Sequence, residues 1–548
     1  MHQCSICKTE FEIREKDLDF YKTMSVLPPK DCPNCRMRNR MCFRNEQNLY
    51  KRVCDFSNKP IISIYNSESP HKVYNANDWW SDKWDAIDYG IDYDPDKPFF
   101  DQFKELLLKV PRIALFNVNP ENSDYCQQAY NNRNSYLCTV IKDCEDCMYI
   151  SHTNNAIDSY DCDFTQNIQL CYSCLDSDKL YGCKYCQNCQ NSNGLIFCND
   201  CIGCKDCFGC YGLRNKEFCI FNIKYCEEDY KKRIEQYNLG KRENLIQLQT
   251  KIMGSFSSKP KRANWNINTI DCLGNYLINA KDSHKCFDSF EIQDCSYCSW
   301  IFESHDVHDI YGMGTSAWVY DSVGAENLNK AAFTTFASDS NDVYYSDCCF
   351  YSSNLFGCTG LRNKQNCILN KQYSEEDYKP LVQKIVNEMH SRGEWSRFFP
   401  ASLSPFGYNE TVAQEHFPLN KETALQKGFK WADHEDSIGD CSKTIEGNQL
   451  PDDIAEVPDD ILNWAIRCEE TKKLFKIQKN ELAFYRKHSI PIPIYHNTVR
   501  YKKRMDLRNP RTLWIGQCSK CQKNIETTYD PAKPEQVLCY ECYKEILD

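Results

Sequence analysis

The sequence reads as mainly β: a duplicated parallel β-solenoid, or β-helix, flanked by two copies of a small cysteine-knuckle module. Three repeats support that reading. The first 80 or so residues align without a gap with the last 80 at an offset of 464, which places Cys4 on Cys468. The middle aligns with itself at an offset of 148, which places Cys210 on Cys358. Inside the middle a shorter unit recurs every 21 to 24 residues, as Tyr136-Leu-Cys138, Tyr160-Asp-Cys162, Tyr181-Gly-Cys183 and Ile202-Gly-Cys204.

Size and composition bound what such a chain can be. At 548 residues several domains with their own cores are expected. The 37 cysteines would suggest a disulfide framework in a short secreted chain, but Met1 to Glu10 carries a Cys pair and charges where a signal peptide needs an apolar stretch. No run approaches the roughly 18 apolar residues of a membrane helix. The expected setting is therefore the cytoplasm, without a membrane, with cysteines as thiols or metal ligands. The odd count fits complete internal pairing poorly.

In the terminal modules (residues 1–85 and 461–548) Cys4, Phe11, Ile13, Leu18, Phe20 and Tyr21 fall on Cys468, Phe475, Ile477, Leu482, Phe484 and Tyr485. Arg40, Arg44, Asn45 and Cys54 fall on Arg504, Arg508, Asn509 and Cys518. Superposed, the copies show two potential metal sites, each made of two Cys-x-x-Cys knuckles, and each copy keeps a different one. The first copy has Cys4, Cys7, Cys32 and Cys35, but Cys54, Ser57, Asn75 and Asp78 at its second site. The second copy has Cys468, Thr471, His496 and Val499 at the first site, but Cys518, Cys521, Cys539 and Cys542 at the second. Four thiolates close a tetrahedral shell with no open position, so two structural zinc ions are expected; iron would fit the same ligands.

Cys4-Ser-Ile-Cys7, Phe11, Phe20-Tyr21, Pro29 and Cys32-Pro-Asn-Cys35-Arg36 resemble the probable zinc-ribbon or treble-clef family, over about 40 residues at each end. The whole chain resembles a group of uncharacterised bacterial zinc-ribbon proteins. The resemblance implies zinc binding and, more loosely, contact with nucleic acid or protein. The lost first site in the C-terminal copy implies a packed pseudo-finger there.

Residues 86–120 read as a linker and a capping helix, with apolar spacing at Phe100, Phe103, Leu106 and Leu107. The solenoid halves follow at 121–240 and 265–391, with Phe208-Gly-Cys-Tyr-Gly-Leu-Arg-Asn-Lys216 repeated as Phe356-Gly-Cys-Thr-Gly-Leu-Arg-Asn-Lys364. Asn, Asp and Gly supply tight turns, and each 21- to 24-residue unit is read as one coil. Acidic turns at Glu227 and Glu375 open a closing helix in each half. Residues 241–264 read as a linker, exposed and basic from Ser255 to Arg262, and 392–460 as an irregular segment wrapping the solenoid wall.

Cys198, Cys201, Cys204, Cys207 and Cys210 recur every third residue, which superficially resembles a cluster motif. The duplication argues otherwise. Of 17 cysteines from Cys126 to Cys226 only five stay Cys in the second half, and Cys183, Cys186 and Cys189 become Ala331, Thr334 and Ala337. Interior packing positions tolerate such changes and metal ligands do not, so a buried thiol ladder is expected.

The net charge of −11 argues against the whole surface as a nucleic-acid sink, but two runs are basic. Arg36, Arg38, Arg40 and Arg44 form one; Arg500, Lys502, Lys503, Arg504, Arg508 and Arg511 form the other. They are the expected nucleic-acid contacts, against the plainer reading of solvated surfaces. None of the common catalytic motifs is readable. The function expected is a zinc-binding scaffold or adaptor, with RNA or a ribonucleoprotein, or another protein, as partner and with the two modules pairing within the chain. The alternatives are a β-solenoid enzyme acting on glycan or nucleic acid, for which Asp158, Asp161, Asp306 and Asp309 occupy matching places, or a thiol or metal redox protein.

Overall fold

The computed structural model describes residues 1–433 and 443–547; part of the expected wrapping segment, 434–442, lies outside the described residues, as does 548. The chain is mainly β, dominated by a ten-stranded sheet from Asn117–Val118 to Ile223–Lys224 and a nine-stranded sheet from Ile267–Ile270 to Lys371–Gln372. Within each sheet consecutive strands are neighbours, and all pairs are parallel except the last, which is antiparallel.

The register is a step of twelve residues. Thr139 pairs with Gln127 and Ser151, Ser151 with Asp163, and Asp163 with Leu175; in the second half His305 pairs with Ala317 and Glu326 with Ser338. The 21- to 24-residue spacing seen in the sequence is therefore about two turns of the backbone and not one. Within each turn a left-handed residue recurs every third position, as at Asn131, Asn134, Leu137, Val140, Asp143, Asp146, Tyr149 and His152. That gives four corners per twelve residues. Asn and Asp tolerate this conformation; for Leu137 and Val140 it costs about 1–2 kcal/mol each, which the flanking ladder bonds must offset.

The same period of three sets the interior. Cys138, Ile141, Cys144, Cys147 and Ile150 point inward in succession and are buried, as are Cys198, Cys201, Cys204, Cys207 and Cys210. Small polar side chains suit this interior because corner amides need partners. Ser159 Oγ accepts from Cys171 N at 3.2 Å and Ser177 Oγ from Cys189 N at 3.1 Å, each twelve residues on. Thiols donate in turn to nearby carbonyls, as Cys144 to Lys142 O at 3.3 Å. Outside, Asn122 donates to Asn134 and Asn134 to Asp146, at 2.9 and 3.0 Å, forming an amide ladder along one edge.

The helices Glu227–Gln236 and Glu375–Ser391 close the two halves. Cys226 Sγ and Ser374 Oγ cap them from equivalent places, and three acids in each first turn complement the helix dipole. The helix Phe99–Lys109 forms as expected and lies on the second half, where the Phe99 ring meets those of Tyr345 and Phe356 at 5.5 and 5.4 Å.

The linker expected to be exposed is ordered. Arg242–Ser257 is a helix that buries Ile252 and Phe256, one turn apart on one face, and Lys261–Arg262 is a strand paired with Val537–Leu538 of the C-terminal module. Beyond the second half the chain lashes the capping helix and the N-terminal module: Phe399 stacks on Phe103, Phe406 stacks on Tyr65, and Glu410 accepts from the Tyr50 hydroxyl at 2.6 Å. No described helix is long and apolar enough to cross a membrane.

Candidate metal centres

Each intact site is built from a hairpin and a helix. In the N-terminal module the strands His2–Gln3 and Glu10–Phe11 pair around the first knuckle, and the second knuckle opens the helix Pro33–Met41, with Pro33 at its first turn. In the C-terminal module Trp514–Gln517 pairs with Asn524–Thr527, and Val537–Leu538 leads into the helix Tyr540–Leu547. The Sγ atoms of Cys4, Cys7, Cys32 and Cys35 all lie within 4.8 Å of one another, as do those of Cys518, Cys521, Cys539 and Cys542. That spacing suits four ligands around one metal ion.

Backbone amides point at the same sulfurs. Cys4 Sγ accepts from the N–H of Cys7 at 3.5 Å and of Cys32 at 3.2 Å, and Cys518 Sγ accepts from Cys539 N at 3.4 Å. Amide bonds of this kind favour thiolate over thiol. Hydrogen bonding from Cys35 draws the Cys32 thiol down to about 6. At Cys518 burial raises the thiol, but the backbone amides of Cys521 and Cys539 outweigh it and hold it at about 6. Among the described residues these two are the groups of three or more His, Cys, Asp or Glu with ligand atoms this close; the central thiols do not form one.

The degenerate sites are closed by hydrogen bonds. Asn75 Nδ2 reaches Cys54 Sγ at 3.5 Å and Ser57 Oγ at 3.2 Å and also meets Asp78, so an amide stands where an ion would. At the other end His496 turns its Nδ1 toward Thr498 Oγ1 at 2.8 Å.

The basic residues are spent elsewhere. Arg36 and Arg40 are buried and share Asp309, at 2.9 and 3.2 Å, and Arg40 also pairs with Asp321 at 2.8 Å. Their counterparts Arg500 and Arg504 share Asp161, at 2.7 and 3.0 Å, and Arg504 also pairs with Asp163 at 2.5 Å. Asp309 and Asp161 are themselves equivalent under the 148-residue repeat. The surroundings repeat too. Tyr297 donates to Asp17 at 2.9 Å and Tyr149 to Glu481 at 3.0 Å; Phe20 stacks on His308 and Phe484 on Tyr160. One docking interface is thus made twice and crosswise: the N-terminal module sits on the second half and the C-terminal module on the first.

Arg44, Arg508 and Arg511 extend these contacts to the centre of the molecule. Arg44 pairs with Glu46 at 2.5 Å; Arg508 pairs with Asp176 at 2.9 Å and with Asp288, which Arg511 also binds at 2.8 Å. Burial alone would raise Asp288, but the two guanidiniums outweigh it and hold its carboxyl at about 2. Arg44 and Arg511 flank the Tyr311 ring, at 5.1 and 5.5 Å from its centroid. Nearby, the modules face one another across a cavity of about 210 Å³ lined by Asn34 and Met37 of one and Thr512 and Leu513 of the other.

Six of the ten expected nucleic-acid contacts are therefore counter-ions of carboxylates in the β-stack, and Arg44 is buried against Glu46 of its own module, which corrects the reading of both runs as open basic surfaces. Lys502 and Lys503 remain exposed, beside Asp506 and Glu470, and Arg38 is half-buried against Cys35 Sγ at 3.9 Å. The acids that an enzyme would use split likewise: Asp161 and Asp309 are each ion-paired with two arginines, while Asp158 and Asp306 are half-buried corner residues. Sequence reasoning did not connect the two sets. The signal was there: Arg36 and Arg40 are four apart, as are Arg500 and Arg504, which sets each pair on one helix face, and Arg44 and Arg508 continue the spacing just past the helix ends.

Two predictions arise from these contacts. Cys186→Ala is expected to leave the metal content unchanged and to cost about 1 kcal/mol by denaturant unfolding, because it removes one buried atom from a packed column. His308 is buried, which lowers its pKa to about 4 against Asp17 pulling the other way. The unfolded histidine takes a proton near 6.5, so below that pH the unfolded state binds more protons and stability falls until about pH 4. His308→Gln is expected to flatten the loss of stability between pH 7 and pH 5, read from denaturant midpoints at each pH.

No family model matches the chain, and no curated protein is significantly similar to it.

Proposed function

We propose that the chain is a zinc-clamped β-solenoid scaffold, in which two zinc-ribbon or treble-clef modules, one intact site in each, are docked on the wall of a duplicated four-sided solenoid, one on each half. The observation that carries this reading is the repeated docking interface: the helix Pro33–Met41, opened by the second knuckle of the first metal site, and its counterpart Asn497–Met505, opened by the lost knuckle of the other copy, deliver arginines to aspartates of the opposite half. At the first site the ion fixes the arginine helix Pro33–Met41 itself; at the second it fixes the hairpin and the helix Tyr540–Leu547, whose Tyr543 hydroxyl donates to Asp200 of the first half at 2.6 Å. In this reading the metal sites act on the protein's own architecture. The buried thiols make a reducing compartment, the cytoplasm, the natural setting.

Metal analysis of the protein purified under reducing conditions tests it. About two zinc ions per chain are expected, one lost on Cys32→Ser and the other on Cys539→Ser. Iron with visible absorbance, or metal retained by both variants, would overturn the assignment.

A further inference from the structure

Beside the first four-cysteine site lies a cleft of about 770 Å³, floored by Tyr320 and Asp321 of the second half and walled by the segment that follows the helix Glu375–Ser391. Six Lys and Arg side chains line it against three carboxylates, in a chain whose net charge is −11. The carboxylates are engaged: Asp31 accepts from Ser5, Asp321 pairs with Arg40, and Glu394 accepts from the backbone N–H groups of Phe99 and Phe100. The cations Lys30, Arg397 and Lys427 are exposed and make no ion pair among the described residues.

Arg38, the member of the N-terminal basic run that turns away from the stack, supplies the fourth cation. Its guanidinium lies 5.6 Å from the Phe429 ring centroid, and its Nε is buried without a hydrogen-bond partner. Trp395 and Phe398 add apolar wall beside the charges. Cations alternating with rings match a ligand that carries phosphates beside flat apolar groups.

We propose that this cleft binds a phosphate-bearing nucleotide ligand, as a single RNA strand or as a free nucleotide. Phosphates would meet Lys30, Arg397 and Lys427, and a base or sugar would lie along Trp395 and Arg38. The proposal goes beyond the clamp reading and needs only that the first module be folded. Unlike the buried arginines, these cations have charge left to offer.

The test uses the full zinc-loaded chain and fluorescein-labelled octauridylate, followed by anisotropy at several salt concentrations, with uridine monophosphate, inorganic phosphate and polyglutamate as competitors. Saturable binding is expected. Lys30→Ala, Arg397→Ala and Lys427→Ala together are expected to weaken it about tenfold or more and to make the slope of log affinity against log salt shallower by about 2, from three contacts at roughly 0.7 each. Lys502→Ala with Lys503→Ala is expected to change it less than about twofold. Full competition by the monophosphate identifies a free nucleotide, and competition only by unlabelled strand identifies RNA. Absence of saturable binding at low salt, an unchanged triple variant, or polyglutamate competing as well as RNA would overturn the proposal. Unchanged zinc content and circular dichroism of the triple variant separate loss of binding from loss of fold.

Discussion

Arg504→Ala is expected to destabilise the chain by about 3–5 kcal/mol, the usual cost of stripping one partner from a buried ion pair. Arg504 is buried and bonds both Asp161 and Asp163; without it, Asp163 keeps the Ser151 hydroxyl as its remaining polar partner. The loss comes from the carboxylate left in a desolvated place more than from the attraction removed. Asp163→Ala added to Arg504→Ala should therefore recover part of the loss, whereas Lys502→Ala, on the solvent side of the same helix, should cost less than about 0.5 kcal/mol. Arg40→Ala, the equivalent change at the other end, is expected to fall in the same range. Denaturant midpoints of the four variants against the parent decide it. Equal, small effects at Arg504 and Lys502 would mean that the pairs do not hold the module.

Cys521→Ser is expected to have the larger local effect. Structural zinc supplies about 10–16 kcal/mol to small modules of this kind, and three thiolates retain only part of it. The C-terminal module has little else to hold its hairpin: its own core is Cys518, Leu538, Cys539, Cys542 and Tyr543. Zinc content should fall from about two to about one per chain, and residues 514–547 should become sensitive to proteolysis. The pairing of Val537–Leu538 with Lys261–Arg262 should be lost with them, while Arg500 and Arg504, on the helix Asn497–Met505, stay on the first half. Full zinc content in this variant would contradict the assignment of Cys521 as a ligand.

Much of this architecture was legible in the sequence. The parallel β character, both internal duplications and both four-cysteine sets follow from spacing alone, because a ligand shell and a repeat leave literal copies. The length of one turn did not. Tyr-x-Cys units every 21 to 24 residues drew attention to every second turn, while the true period lay in Cys198, Cys201, Cys204, Cys207 and Cys210, one inward residue in every three. Neither a helix period nor a strand period describes a side of three residues with a left-handed corner, so the pattern resembled a cluster motif instead. The arginines misled for a different reason. A basic run is the same sequence whether it meets phosphate or a buried aspartate, and only the offset shared by Asp161 and Asp309 carried the distinction. The linker at Arg242–Ser257 was misread because Lys259, Lys261 and Arg262 dominate its composition, while its apolar face is only Ile252, Phe256 and their neighbours Leu245 and Leu248.

Amide hydrogen exchange, followed residue by residue before and after a strong zinc chelator is added under reducing conditions, tests the clamp most directly. If each ion holds a module on the opposite half, chelation should release protection in the helices Pro33–Met41 and Tyr540–Leu547 and in their hairpins. Protection should persist at the twelve-residue ladder from Thr139 to Lys205, which contains no ligand of either site. Terminal segments that exchange identically with and without metal would contradict the account.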